Sequence, residues 1–198
     1  VIVLLGTGCA SIRVTDPPRT ATEQFLLSEA ARLAIDQISA QGLSGESLRD
    51  RKVFLDSTYF LQTAGEHAFF LGELRAKLFM SGVRLTNKRE EAEIIVEVRS
   101  GGLGIDRLDY LLGLPSIYAP WLTEAGDIPV AIPELAIIKN TRQRGFAAVA
   151  FVAYWADTGE IFASSGPFVG RTMREDWWFF GTGPRTVGNI PPTERVEE

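Results

Sequence analysis

Apolar and polar positions alternate along the chain with two different periods, and these periods mark out its elements. Thr20 followed by Glu23 has the spacing of a capping box. The helix it opens is predicted to run to about Ala40, with Leu26, Ala30, Leu33 and Gln37 on one side and Leu27, Ala31 and Ile35 beside them. Ser28, Arg32 and Asp36 form its wet stripe, Gly42 is placed to stop it, and Ser44 to Arg51 reads as a polar loop. Lys52 to Asp56 is a short apolar-rich run suited to a buried strand. Thr63 and Glu66 repeat the capping-box spacing ahead of a second helix, which runs to about Met80 with His67, Leu71, Leu74 and Leu78 along one face and closes at Gly82.

Val83 to Leu85 reads as a brief strand. Ala92 to Arg99 reads as a firmer one, with Ile94, Val96 and Val98 facing one way and Glu97 and Arg99 the other. The regular pattern then lapses from Gly101 to Pro133, which reads as an irregular insertion. Strand character resumes at Glu134 to Lys139 and again at Gly145 to Ala156. Asp157-Thr158-Gly159-Glu160 should turn the chain into an antiparallel return over Ile161 to Ser165. After Pro167 come Trp177, Trp178, Phe179 and Phe180, then a glycine- and proline-rich stretch, and residues beyond about Pro191 are expected to be disordered. This order predicts an α/β (α+β) fold: one domain over residues 20–190, in two or three layers, with a mixed, largely antiparallel sheet and two main helices.

The start of the chain has neither period. Val1 to Leu5 is an apolar run, Gly6, Thr7 and Gly8 are small, and Cys9 follows. The order resembles the end of a bacterial lipoprotein signal peptide, with Gly6 standing where a leucine is usual. The resemblance implies that Cys9 is acylated, with chains such as palmitate, and becomes the first residue of the mature protein. Residues 1–8 would then be residual signal peptide, to be set aside from fold reasoning. The alternative is a buried first strand with an ordinary core cysteine. Ala10 and Ser11, with no Asp after the cysteine, imply an outer-membrane destination, on the periplasmic face. Stable anchoring needs at least two acyl chains, and lipoproteins of this kind carry three. Residues 9–19 become a lipidated tether, polar and broken by Pro17 and Pro18, and therefore extended and mobile.

Composition narrows the classes further. A chain of 198 residues, 45% hydrophobic, suits one sizeable core. With 20 basic against 25 acidic residues the formal charge is −5, and no basic block is long enough to track phosphates, so nucleic acid is a poor partner. Cys9 is the only cysteine, which excludes an intrachain disulfide and a multi-cysteine metal site. His67 is the only histidine, so it starts no zinc site and reads as a core or rim residue. No cofactor or metal is expected.

An early helix, the "SGVRL" end of the second helix, the "EEAEIIVEV" strand and the "DTGE" turn before "IFASS" together resemble the α/β periplasmic domain of curli-secretion lipoproteins, and the penicillin-binding-protein activator lipoproteins are similar. The likeness covers roughly Thr20 to Ser165 and implies a binding or assembly role in the cell envelope within a largely uncharacterised lipoprotein family. Gly101 to Pro133 and the tryptophan-rich tail have no counterpart in it.

The chemistry candidates are few. Asp106 and Asp109 could serve as an acid and a base, but Asp beside Gly is also ordinary turn chemistry. The glycines at 101, 102 and 104 complete no dinucleotide fingerprint because Arg107 stands where a third glycine belongs. Ser164 and Ser165 lack a nucleophile-elbow context. Tyr110 to Leu122, YLLGLPSIYAPWL, carries no charge and is the most informative stretch. Leu111, Leu112, Leu114, Ile117, Tyr118 and Trp121, with Trp177 and Trp178, are the expected contact residues for a partner or a membrane. The expected function is a non-enzymatic outer-membrane lipoprotein, tethered to the membrane by its lipid and binding an envelope protein. One alternative is a homo-oligomeric secretion channel, although no pair of roughly ten-residue alternating strands is visible to build a barrel wall. An envelope hydrolase, needing Asp106, Asp109 or His67 to converge, is the third class.

Overall fold

The structure, a computed structural model, describes residues 10–14, 20–41, 48–60, 66–119 and 130–190. Helix α1 spans Ala21–Gln41 and α2 Glu66–Met80. The strands are β1 Ala10–Val14, β2 Lys52–Asp56, β3 Arg84–Thr86, β4 Ile94–Leu114, β5 Ile117–Ala119, β6 Val130–Ile132, β7 Leu135–Trp155, β8 Ile161–Phe179 and β9 Thr182–Gly188. Seven of them form one sheet in the order β3-β2-β4-β7-β8-β9, with β1 also paired to β4, while β5 and β6 pair separately.

The sheet is mixed and largely antiparallel, as the sequence predicts. β2 runs parallel to β3 and to β4, whereas β1 is antiparallel to β4 and β9 to β8. Gly101 lies against Ala148 and Gly113 against Ala136, so residue numbers rise along β4 as they fall along β7, and this pair is antiparallel too. β7 and β8 are joined by the expected turn. The Trp155 amide donates to the Glu160 carbonyl, Gly159 supplies a φ of +73°, and Asp157 and Thr158 accept bonds from the amides of Thr158 and Glu160.

The chain folds as two compact units. Of the described residues, the strand unit takes in those within 1–16, 106–143 and 173–198, and the helix unit those within 17–105 and 144–172. In the helix unit, α1 begins with the predicted capping box, formed in both directions: the Glu23 amide donates to Thr20 Oγ1 at 3.2 Å and the Thr20 amide to Glu23 Oε2 at 2.9 Å. Its buried stripe of Ala30, Ala31, Ala34, Ile35 and Ile38 joins Phe70, Leu74 and Leu78 of α2 over Ile94, Val96, Val98, Ala147, Val149, Phe151 and Ala153 of the sheet. Within this unit the helices therefore form one layer on the sheet. Small residues allow close seating: an added Cβ at Gly170 would collide with the Ala30 carbonyl oxygen of α1. Thr172 Oγ1 donates to the Leu26 carbonyl at 2.7 Å and Gln37 Nε2 to the Val169 carbonyl at 3.1 Å, which fixes the helix against β8. Gly82, at φ +83°, ends α2 as expected.

Several expectations change. Residues 101–133 are not an irregular insertion up to Leu114, because Gly101 to Leu114 continue β4; beyond it β5 and β6 form a small antiparallel ladder. Glycine-rich sequence obscured this strand, whose pairing with β7 supplies what local propensity lacks. Glu134 to Lys139 and Gly145 to Ala156 belong to one strand, β7, since the polar run between them is sheet, with Asn140, Thr141 and Gln143 buried. The aromatic tail is the end of β8 and turns into β9 rather than dissolving. Pro167 lies in β8 ahead of Arg174, where the pairing with β9 begins. The tether is corrected in part: Ala10–Val14 is strand, opposite Tyr110–Asp106. Thr63, Val1 to Gly8 and residues 191–198 lie outside the described residues, as do the expectations placed on them.

Candidate interaction surface

In the strand unit, register decides which side chains stand together. Counting from Gly113 against Ala136 places Tyr110 opposite Lys139, Leu112 opposite Ile137 and Leu114 opposite Leu135. Arg142 pairs with Glu175 at 2.5 Å, and the Phe180 amide donates to the Ile137 carbonyl at 2.9 Å, so Trp178 falls opposite Lys139 and Phe180 opposite Ile137. One face of the sheet therefore carries successive rows. Leu114 and Leu135 come first, then Leu112 and Ile137, beside the turn residue Phe180, then Tyr110, Lys139 and Trp178, and then Leu108, Thr141 and Asp176.

The first rows are exposed. Tyr110, Leu112, Leu114, Leu135 and Ile137 are each between 44% and 59% exposed, and Phe180 80%. The opposite face repeats the gradient with Leu111 and Ile138, both half-buried, and with Phe179, which is exposed and stacks on Trp177 with centroids 6.1 Å apart. Further along, both faces become polar and ion-paired. Arg107 bonds Asp109 at 3.1 Å, Arg174 bonds Asp176 at 3.1 Å, and Thr186 Oγ1 donates to Asp176 at 2.5 Å. The Glu134 carboxylate, just before β7, is paired with Lys139 at 2.8 Å.

Of the expected contact residues, Leu112 and Leu114 share this face with Trp178, while Leu111 and Trp177 lie on the other. Ile117 and Tyr118 are in β5, opposite Ile132 and Ala131. Cys9 and Trp121 lie outside the described residues. Tyr110, Leu135, Ile137 and Phe180 complete the surface. The alternation of Leu135 and Ile137 within ELAIIK was the signal for two of them, readable only once the strand opposite was known. Asp106 and Asp109 do not form an acid–base pair: they stand on opposite faces of β4, and Asp109 is held by Arg107. His67 belongs to the helix unit, with its ring 5.5 Å from that of Phe60. Among the described residues, no group of three His, Cys, Asp or Glu is placed to hold a metal ion, and no helix is long and apolar enough to cross a membrane.

The helix unit holds a second polar cluster, at the carboxyl end of β2. Burial works to raise the Asp56 pKa, but hydrogen bonds from the Thr58 hydroxyl (2.6 Å) and amide (3.0 Å) and from Arg89 (2.8 Å) overcome it and hold the carboxyl below 3.8. Arg89 also donates to the Tyr154 hydroxyl at 2.9 Å, and its pKa is raised by Tyr154 and then by Asp56. Glu93 is held low by Arg51, whose guanidinium also lies 5.6 Å from the Trp155 ring centroid. These groups satisfy one another and tie the 3-10 turn Arg89–Glu91 to the sheet. A shallow cavity of about 420 Å³ runs along β3, lined by Lys52, Arg84, Thr86 and Lys88, among others.

A family model described as a family of unknown function, DUF6655, matches residues 1–193. The chain belongs to that family. The match takes in every strand and helix described above, the apolar rows included. No curated protein and no solved structure matches the chain.

Proposed function

We propose that this member of DUF6655 is an outer-membrane lipoprotein acting as a non-enzymatic binding or assembly module of an envelope complex. The observation that carries the reading is the exposed apolar end of β4 and β7. A protein working alone in water seldom leaves contiguous Leu, Ile and Tyr rows uncovered on a sheet face. The lipoprotein-like start of the chain and the likeness of its motifs to curli-secretion and penicillin-binding-protein activator lipoproteins support the address. The polar clusters support a structural use for their charges, since Asp56, Glu93, Asp109, Glu134, Glu175 and Asp176 are each paired with a cation. Intact mass and membrane fractionation of the full-length protein beside Cys9→Ala test the reading. The wild type is expected to begin at an acylated Cys9 and to fractionate with outer membrane, and the variant to lose the acyl mass. Two proteins that both keep Val1 to Gly8 without added mass would sink it.

A second reading, the subunit of an oligomeric secretion channel, is favoured by one specific feature. β4 and β7 are each 21 residues long and adjacent, which is the paired long strand that the sequence pattern did not reveal.

A further inference from the structure

We propose that the apolar end of the β4–β7 ladder seats in the lipid bilayer itself, so that the strand unit contacts the membrane through protein as well as through an acyl chain; this rests on the lipoprotein reading above. Three observations point to lipid as the occupant. The first is the order of the rows. Moving back from Leu114 and Leu135, the face passes from apolar residues to Tyr110, Lys139 and Trp178 and then to Leu108, Thr141 and Asp176, the last paired with Arg174 and Thr186. Apolar, then aromatic with the Lys139–Glu134 ion pair, then increasingly polar follows the environments from acyl chains through headgroups to water.

The second is that the gradient holds on both faces. Leu111, Ile138 and Phe179 repeat it behind Leu112 and Ile137. A protein partner covers one face of a sheet, and a pore wall alternates apolar and polar residues; a segment apolar on both faces suits immersion.

The third is where the chain leads. Ala10 stands opposite Tyr110 and β1 runs antiparallel to β4, so β1 begins at the end of its pairing nearest Leu112 and Leu114. The expected anchor, Cys9, directly precedes that first residue in the sequence.

Flotation with phosphatidylcholine vesicles tests this. A neutral lipid is used because the formal charge of −5 disfavours an anionic one. The full chain carrying Cys9→Ala, and therefore no lipid, is expected to float. Adding Leu112→Glu and Ile137→Glu should lower vesicle partition about tenfold or more. Both positions are about half exposed, so the fold should survive, as circular dichroism and an unchanged Tm would show. Phe69→Glu with Met80→Glu, on the exposed side of α2, should leave flotation unchanged. The proposal is overturned if the Cys9→Ala chain does not float, or if the two pairs of substitutions act alike. It is also overturned if a photo-crosslinker at position 112 in cells yields a protein adduct, a second copy included, and no lipid adduct. Because the vesicles report on a chain without the acyl group, failure here leaves the intact-mass result standing, and the reverse also holds.

Discussion

A methyl group added at two glycines is expected to act with opposite sign. At Gly170 on β8, a Cβ would collide with the Ala30 carbonyl oxygen and come within 2.9 Å of the Ala34 amide nitrogen, both backbone atoms of a packed helix. Neither can move without lifting α1 from the sheet. Gly170→Ala should therefore cost about 3 kcal/mol, or about 6–12 °C in Tm. At Gly72, inside α2, nothing lies within 4 Å of the added atom. Gly72→Ala should stabilise by about 0.5–1 kcal/mol through helix propensity and the reduced freedom of the unfolded chain. Thermal melts of the two variants beside wild type measure both. Equal effects would mean that α1 does not sit on Gly170 as described. Nothing in sequence alone separates these glycines, since neither lies at a turn and only packing tells them apart.

Elements are held together by the polar clusters, and one of them carries a pH dependence. Asp56 fastens the end of β2 to the 3-10 turn through Arg89, and Arg89 in turn reaches Tyr154 on β7. Its carboxyl is held below the value of about 3.9 expected in the unfolded chain. The unfolded state thus takes up the proton more readily, and the ionised carboxylate favours the fold. That contribution is complete above the unfolded value and is lost as pH falls through the folded one. Asp56→Asn should therefore cost about 1–2 kcal/mol near neutral pH. The gap to wild type should narrow steadily below about pH 4. Urea midpoints for both proteins from neutral to acid pH check this; a gap that persists undiminished in acid would exclude the ion pair as its source. Elements with one strong period were legible in sequence: α1 with its capping box, α2 from Glu66 to Met80 with its stop at Gly82, the core face of β4 through Ile94, Val96 and Val98, and the Asp157–Glu160 turn. The long strands were not, because Gly101 to Gly104 and Asn140 to Arg144 have poor strand propensity alone and gain their conformation from ladders made with residues far along the chain. The contact surface was half legible for the same reason: Leu112 and Leu114 stand out as uncharged sequence, whereas Leu135, Ile137 and Lys139 join them only through register.

At the scale of the whole molecule, the sheet edges bear on how many copies work together. β3, at one end of the strand order, has three residues and begins with Arg84, and β9, at the other, carries Pro184 and Arg185. Short, charged or proline-bearing edges resist pairing with another chain. β4 differs, because β1 pairs it only over Asp106–Tyr110, so that Leu111–Leu114 have a ladder partner on the β7 side and none on the β1 side among the described residues. A ring of subunits would have to extend the sheet there or at the guarded ends, whereas a bilayer-seated module needs no second copy. Native mass of the lipidated protein released in mild detergent is therefore expected to show a single chain with its bound detergent. Charge at the apolar rows, as in Leu112→Glu with Ile137→Glu, should lower the bound detergent without changing the number of chains. A closed ring of defined stoichiometry that the same substitutions break apart would instead make the β4–β7 end a subunit interface, and the channel reading would replace the module.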